Sequence, residues 1–97
     1  MIKLISQGDL VKSVKGRDEG ILFLVVKTEG NSAYLADGKV RKVNALKKKN
    51  LKHLQRFIEA NLEYKDLAER ISRGDAVGNK RLKKLLQQSH DNKKQEE

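Results

Sequence analysis

Ile21-Leu22-Phe23-Leu24-Val25-Val26 is the longest apolar run of the chain, and it limits the folds that the chain can adopt. Six residues rich in branched and aromatic side chains suit a β-strand, whereas a helix would need a longer segment. Since side chains alternate between the two faces of a strand, this strand is apolar on both faces. We therefore expect one face to line the core of a sheet and another element to cover the opposite face.

Turns on both sides separate this run from further short strands. Leu10–Val14 alternates in part between apolar and polar residues and ends at a polar turn, residues 15–20. A second turn at residues 29–32 leads into Ala33–Ala36. Several short strands with regularly spaced turns predict a small β-barrel.

An Asp-Gly pair predicts a hairpin in the next part of the chain. Asp37-Gly38 suits the two positive-φ positions of a type I′ turn, whose twist matches antiparallel strands. The turn would join the strand that ends at Ala36 to a strand at Lys39–Val43. Leu51–Gln55 would then supply the last strand, so we expect the barrel to occupy residues 1–57.

The spacing of the apolar residues changes after the barrel, which predicts a helical extension over residues 58–97. A first helix would place five side chains on one face: Ala60, Tyr64, Leu67, Ala68 and Ile71. We expect this helix to end at Gly74 and to cover the outer face of the strand at residues 21–26.

A second helix is predicted from Gly78-Asn79, with Val77 and Leu82 spaced as a hydrophobic staple around its start. Its narrow apolar stripe consists of Leu82, Leu85 and Leu86. The basic residues at 80–84 favour a surface helix. The alternatives are a contact with RNA, since lysine and arginine attract phosphate, and a membrane-surface helix, which is disfavoured by the lack of aromatic residues. From Asp91 onward the chain is polar, and we expect a frayed tail.

The composition excludes several classes of protein. The chain has 97 residues, which suits one small domain with an appendage, and it contains no cysteine for a disulfide or a zinc finger. The longest apolar run is too short to span a bilayer, and residues 1–5 lack the apolar run of a signal peptide. We therefore expect a cytoplasmic protein with no membrane partner.

Positive charge is concentrated in the first part of the chain. The net charge is +9, and residues 1–58 carry thirteen basic and five acidic side chains, a balance of +8. Between Lys39 and Arg56 there are eight lysines or arginines and no acidic residue. Such a balance favours a polyanion, above all a nucleic acid, as the partner.

The centre of this basic segment is Lys47-Lys48-Lys49-Asn50-Leu51-Lys52-His53-Leu54. Apolar residues interleave with the basic ones and can fix the backbone to a core, unlike a charged tail that stays solvated. A fixed cationic face binds a polyphosphate because each neutralised phosphate releases counterions. The candidate RNA-binding residues of this segment are Arg41, Lys42, Lys47, Lys48, Lys49, Lys52 and His53. The alternative is a solvated face that only keeps the protein soluble.

These segments together resemble a known family. The segment from Gly8 to Gly20, followed by the apolar run at residues 21–26, resembles a KOW motif. More narrowly, the chain resembles the archaeal and eukaryotic large-subunit ribosomal protein fourteen family and its short bacterial relatives. The matching pieces, within residues 8–55, are Gly16-Arg17-Asp18-Glu19-Gly20, Val25-Val26, Tyr34-Leu35-Ala36-Asp37-Gly38 and Lys48-Lys49-Asn50-Leu51-Lys52-His53-Leu54. The resemblance implies an SH3-like barrel that binds ribosomal RNA.

The glycine turn has a role in RNA binding if the resemblance holds. Lys15 and Arg17 would contact phosphate, and Arg17 could stack on an unpaired base. Gly16 and Gly20 would let the RNA backbone approach closely, or they simply permit a tight turn. Lys15, Arg17 and Gly20 therefore join the candidate RNA-binding residues.

The remaining side chains give no sign of catalysis. Neither a Ser-His-Asp set, nor a phosphate-binding loop, nor a metal-ligating group is evident, so we expect neither an enzyme nor a cofactor. His53 fits a packed or hydrogen-bonded role better than a catalytic one. Phe23 and Tyr64 fit core positions, and Tyr34 fits one better than the alternative of an exposed position on its strand. RNA recognition is then left to the phosphate backbone and to shape.

Together these features predict a monomeric, non-catalytic protein that binds structured ribosomal RNA of the large subunit and takes no small-molecule substrate. The alternative is a protein-interaction module of the transcription or translation machinery, in which the basic face only steers association. Nonspecific DNA binding is a third hypothesis, and it is less favoured because no helix shows a groove-reading pattern of Arg, Asn and Gln.

Overall fold

A computed structural model describes residues 4–75 and 78–96 of the chain. Within them the elements are, in chain order, β1 (Leu10–Ser13), β2 (Leu22–Glu29), β3 (Ser32–Ala36), β4 (Lys47–Asn50), a 3-10 helix (Leu51–His53), β5 (Leu54–Ile58), α1 (Leu62–Ser72) and α2 (Asn79–Glu96). This arrangement confirms the predicted mainly-β domain with C-terminal helices.

The five strands form one antiparallel sheet in the order β4-β3-β2-β1-β5. β4 and β5 lie at opposite ends of this order, although only the 3-10 helix separates them in the chain. Because neighbouring strands lie about 4.8 Å apart, three residues cannot bridge a flat sheet of five strands, and the sheet must curl. The topology is compatible with an SH3-like barrel that is not closed, since no ladder joins β4 to β5 among the described residues.

The β2 strand packs into a different core on each of its faces. On one face Phe23 and Val25 meet residues of β1, β3 and β5: Val11, Ala33, Leu35 and Leu54. On the other face Leu24 and Val26 meet residues of the sheet and of both helices: Leu10, Ala36, Leu67, Ala68, Ile71, Leu82 and Leu86. Each fully buried Val, Leu or Phe side chain among them stabilises the fold by about 1.5–3 kcal/mol. The expectation that the first helix covers the outer face of this strand is confirmed, and α2 covers the same face.

The first helix ends before Gly74 as predicted, but it begins at Leu62, so Ala60 precedes the helix instead of lying on its face. At its start, the side-chain Oδ1 of Asn61 accepts a hydrogen bond of 2.8 Å from the backbone N–H of Tyr64. Such a bond satisfies one of the backbone N–H groups that have no partner within the helix. At its end, Gly74 has a φ of 82°, in the left-handed region that glycine adopts most easily.

The second helix is longer than the sequence predicts. It begins at Asn79 as expected but runs to Glu96, so the frayed tail predicted from Asp91 is wrong. The last turns of this helix pack against β5. The ring of His90 stacks on Phe57 with the ring centroids 5.8 Å apart, and Lys93 Nζ donates a hydrogen bond to the Phe57 carbonyl. The predicted staple between Val77 and Leu82 lies outside the described residues because Val77 is not among them.

The predicted hairpin at Asp37-Gly38 is wrong. A type I′ turn needs positive φ at both residues, but only Gly38 has it, at 78°. The Asp37 carboxylate instead accepts hydrogen bonds from the backbone N–H groups of Lys39, at 2.9 Å, and of Arg41, at 2.8 Å. These bonds close a compact loop, and the strand that pairs with β3 is β4, Lys47–Asn50, rather than Lys39–Val43.

The segment between β3 and β4 serves to hold the start of α2. A Cβ atom on Gly38 would lie 2.3 Å from the backbone oxygen of Asn79, so only glycine allows this approach. The Asn79 side chain in turn accepts a hydrogen bond of 2.8 Å from the backbone N–H of Val43. The segment at residues 37–46 is therefore a docking site for the helix.

The last strand begins later than predicted. Leu51–His53 form a 3-10 helix because the Asn50 side chain accepts from the backbone N–H of Lys52 at 3.0 Å, and β5 then covers Leu54–Ile58. Across the sheet, the buried carboxylate of Asp9 forms an ion pair with Arg56 at 3.0 Å and accepts from the backbone N–H of Ala60 at 2.8 Å. This ion pair ties β1 to β5 and to the approach to α1.

Neither helix within residues 4–75 and 78–96 combines the length and the apolar character that crossing a membrane requires.

Candidate nucleic-acid interface

Asp18 is the centre of the basic region. It lies in the glycine turn between β1 and β2, and its side chain is only about 10 % exposed. The carboxylate forms ion pairs with Lys47 Nζ at 2.8 Å and with Lys49 Nζ at 2.6 Å, and it accepts a hydrogen bond from Ser13 Oγ at 2.8 Å. Lys49 Nζ also donates to the backbone oxygen of Lys15 at 2.6 Å.

These contacts keep Asp18 ionised. Burial works to raise the pKa of this carboxyl group, but hydrogen bonds from Lys47, Lys49 and Ser13 outweigh burial and hold the pKa far below its ordinary value. Two of the four lysines in the predicted basic run therefore share one permanent negative charge. They are held in fixed positions rather than free in solvent.

Basic side chains gather on one side of this ion-pair group. The backbone N–H of Val14 donates to the His53 carbonyl at 2.9 Å, which holds the 3-10 helix against the glycine turn. Loss of hydration lowers the pKa of the half-buried His53, and the positive charges of Lys15, Lys52 and Lys49 lower it further. The contribution of the three lysines reflects the positive charge around this side chain.

A cleft lies on the other side of the ion-pair group. Its volume is about 210 Å³, and its lining residues are Arg17, Asp18, Ile21, Phe23, Val40, Arg41 and Lys47. Arg17 comes from the glycine turn and Arg41 from the loop that follows β3. Within residues 4–75 and 78–96, neither guanidinium group has a hydrogen-bond or ion-pair partner.

We call these seven basic residues around Asp18 the glycine-turn face: Lys15, Arg17, Arg41, Lys47, Lys49, Lys52 and His53. The structure brings them together from three separate parts of the chain: the glycine turn, the loop after β3, and the segment from β4 through the 3-10 helix. Seven of the ten candidate residues are therefore neighbours. Of the other three candidates, Lys42 and Lys48 lie apart from this group and Gly20 has no side chain.

Lys48 lies on a different surface from Lys47 and Lys49. Successive side chains of a strand point to opposite faces, and Lys48 pairs across the sheet with Tyr34. Its ammonium group lies 5.8 Å from the centre of the Tyr34 ring, and that of Lys27 lies 4.7 Å from it. Tyr34 is half-buried on the outside of the sheet, so its predicted core position is wrong. We call Lys27, Tyr34 and Lys48 the tyrosine face.

The remaining candidates, Gly20 and Lys42, have simple surroundings. Gly20 has a φ of 88°, and a Cβ atom there would meet nothing within 4 Å. The turn therefore needs glycine at this position for its backbone conformation, and there is open space beside it. Lys42 is exposed in the loop after β3, and none of its described side-chain contacts joins it to the glycine-turn face.

Asp18 is the residue of the candidate site that the sequence alone did not bring out. One signal was present: an aspartate between Gly16 and Gly20, with a serine on the preceding strand and a lysine-rich segment to pair with. Its role depends on contacts over 29 and 31 positions of the chain, and no local pattern encodes these.

No protein-family model matches this chain, and no curated protein matches it either.

Proposed function

We propose that this protein is a non-catalytic, monomeric RNA-binding protein of the cytoplasm that binds structured ribosomal RNA of the large subunit through the glycine-turn face. The observation that supports this most directly is the grouping of seven basic side chains around the ion pairs of Asp18 with Lys47 and Lys49. Four of them, Lys15, Arg17, Arg41 and Lys52, have no carboxylate partner within residues 4–75 and 78–96. A phosphate backbone is the ligand that such a surface attracts most strongly.

The Asp18 ion pairs hold two of the lysines in place, while they neutralise part of the lysines' charge. A lysine in solvent loses side-chain entropy when it is fixed on a phosphate, but Lys47 and Lys49 are already held before RNA arrives. Their single shared carboxylate leaves a net positive charge on the group. The glycine-turn face is therefore pre-organised for a polyanion.

The mode of recognition that fits this face is contact with the phosphate backbone and with RNA shape. Among its lining residues the aromatic one, Phe23, is only 1 % exposed and cannot act as an open stacking platform. Structured RNA presents phosphates and 2′-hydroxyl groups in a fixed geometry that a curved basic surface can follow. The resemblance of residues 8–55 to KOW proteins favours RNA over DNA and ribosomal RNA over other RNA.

The proposal is tested by the salt dependence of binding to a structured RNA fragment of the large subunit. Changing Lys15 and Lys52 together to Ala removes two unpaired charges from the glycine-turn face. We expect weaker binding and a log K against log salt plot that flattens by about 0.7–0.9 for each lost phosphate contact. The matched control changes Lys27 and Lys48 to Ala on the tyrosine face. If both double variants flatten the plot equally, the glycine-turn face is not the binding surface.

Sedimentation of a cell lysate at moderate and high salt tests the assignment to the ribosome. We expect the protein to migrate with the large subunit at moderate salt and to leave it at high salt. If the protein stays at the top of the gradient at both salt concentrations, the assignment to the ribosome is wrong. Binding to other RNA would then be decided by the salt-dependence experiment.

The second candidate function is a protein-interaction module of the transcription or translation machinery. It is favoured by Val40, which is 67 % exposed at the edge of the cleft and offers apolar surface to a partner. RNase treatment separates the two functions: ribosome association that survives complete digestion of accessible RNA supports the protein partner, and association that is lost supports RNA.

A further inference from the structure

The cleft between Arg17 and Arg41 is a separate feature of the glycine-turn face, because it combines charge with an apolar floor. Ile21 supplies the accessible part of that floor, because Phe23 is only 1 % exposed, and Val40 lies at its edge. Drug-sized ligands occupy pockets of roughly 300–1,000 Å³. The volume of about 210 Å³ suits a smaller group, such as one aromatic ring system.

We propose that this cleft binds one unpaired nucleotide of the RNA, with its base on the apolar floor between the two guanidinium groups and its flanking phosphates on their charges. This inference rests on the proposed function and adds a specific ligand group to it. The planar guanidinium of arginine stacks on a base and also attracts phosphate, and two such groups frame the cleft.

The combination of groups excludes simpler ligands. A free phosphate would use the two arginines but would gain nothing from the apolar surface of Ile21 and Val40. An apolar protein side chain would use the floor but would leave two unpaired guanidinium groups in a partly desolvated site, which is costly. A nucleotide matches both parts, because its base is flat and apolar on its faces and its backbone is anionic.

The backbone on both sides of the cleft is fixed before any ligand binds. The Arg41 carbonyl accepts hydrogen bonds from the backbone N–H groups of Asp37, at 2.9 Å, and Gly38, at 3.1 Å, and the Arg41 N–H donates to the Asp37 carboxylate. On the opposite side, the N–H of Ile21 donates to the Asp18 carbonyl at 2.9 Å. A site on such fixed backbone loses little conformational entropy when it binds.

Docking of α2 connects the cleft to the rest of the molecule. Gly38 lies directly against the backbone of Asn79, and the side chain of Asn79 holds the backbone of Val43. The loop that carries Arg41 is therefore held between the sheet and the helix. A contribution of α2 to RNA binding through this loop requires no direct contact between α2 and RNA.

The experiment compares three short RNA hairpins: one with a single unpaired nucleotide, one with an abasic sugar at that position, and one that is fully paired. We expect the first to bind about tenfold more tightly than the second, because stacking of one base is worth on the order of a tenfold change or more. The methyl NMR signals of Ile21 and Val40 should shift with the first hairpin and much less with the second.

Arg17→Lys and Arg41→Lys test the arginines while they retain the positive charges. We expect each variant to lower the ratio of affinities for the base-containing and abasic hairpins toward one, with an unchanged salt dependence. The matched control is Arg81→Lys, an exposed position on α2. A spectrum that retains the dispersion of the wild type checks that each variant is folded.

Three results would overturn the inference, and they differ in whether the proposed RNA binding still holds. If the wild type binds the base-containing and abasic hairpins equally and the methyl signals do not move, the cleft is not a base site, although RNA binding stands. If the ratio is unchanged in both arginine variants, the base binds elsewhere. If none of the three hairpins binds at moderate salt, the proposed function fails and the nucleotide site fails with it.

Discussion

Asp18 controls how much of the basic surface is free to bind an anion. Its carboxylate neutralises part of the charge of Lys47 and Lys49 and fixes both side chains beside the glycine turn. The same residue supports the fold, because it is buried and hydrogen bonded to Ser13. Stability and binding are therefore expected to change in opposite directions when this carboxylate is removed.

We predict that Asp18→Asn lowers the free energy of unfolding by roughly 1–3 kcal/mol at neutral pH, because it leaves buried groups without a charged partner. The pKa of Asp18 is lowered in the folded state, so its contribution is present above the unfolded pKa of about 3.9 and is lost as the pH falls below it. Urea unfolding from pH 7 to pH 2 should show the difference between wild type and variant shrinking below about pH 4. Glu19→Gln is the control, since it removes the same charge from an exposed neighbour.

RNA binding by the same variant should change in the other direction. With Lys47 and Lys49 released, we expect tighter binding and a steeper dependence on salt. If Glu19→Gln strengthens binding by the same factor, the effect comes only from net charge and not from the two lysines.

His53 provides a second prediction, on the pH dependence of binding. Its pKa is lowered in the free protein by partial burial and by Lys15, Lys52 and Lys49. A bound phosphate would counter these charges and raise the pKa, so binding would take up a proton. We expect the affinity for RNA to rise as the pH falls through about 6.5, by up to roughly tenfold for each pKa unit between free and bound states. His53→Gln should remove this rise, whereas His90→Gln should keep it.

The loop between β3 and β4 shows how one element depends on another. This loop turns at Gly38, where the Asn79 backbone leaves no room for a Cβ atom, and it presents Arg41 to the cleft. Its shape is therefore set by the docked helix as well as by its own Asp37 hydrogen bonds. Substitutions at the contact between Gly38 and Asn79 should therefore shift Arg41 and alter the shape of the cleft.

Substitution at two glycines separates backbone strain from close contact. Gly38 and Gly20 both have positive φ, but a Cβ atom at Gly38 would clash with Asn79 and one at Gly20 would meet nothing. We predict that Gly20→Ala costs about 1–2 kcal/mol, the ordinary cost of this conformation, and that Gly38→Ala costs clearly more. Urea unfolding of both variants measures the difference, and equal losses would contradict close docking of α2.

Across the whole molecule, the apolar pattern predicted most of the fold. The run at residues 21–26 indicated a strand buried on both faces and a covering helix, and both are present. The strand β4 could not be predicted, because Lys47–Asn50 contains no apolar residue and forms a strand only by pairing with β3. Asp37-Gly38 led to a wrong prediction because the Asp37 carboxylate bonds to backbone N–H groups of its own loop. The pair is compatible with this loop and with a type I′ turn, and the tertiary structure determines which of them forms.

The candidate site was predictable in composition but not in arrangement. The basic residues could be named from the sequence, yet their division into two surfaces follows from the strand character of β4. Only that character separates Lys48 from Lys47 and Lys49. The position of Arg41 depended on the docking of α2, which no local signal near residue 41 reveals.

The pairing of β1 with β5 has a consequence for synthesis of the chain. Leu10 pairs with Ile58, and the Asp9 carboxylate bonds to Arg56 and Ala60. The first strand can therefore complete its pairing only after residues nearly fifty positions later have been synthesised. Such distant contacts form slowly because the intervening chain must first be ordered. On a translating ribosome β1, β2 and β3 can pair first, while Leu24 and Val26 stay uncovered until both helices have emerged. The nascent chain therefore exposes an apolar sheet face until both helices have left the ribosome, and chaperone binding would protect that face during this interval.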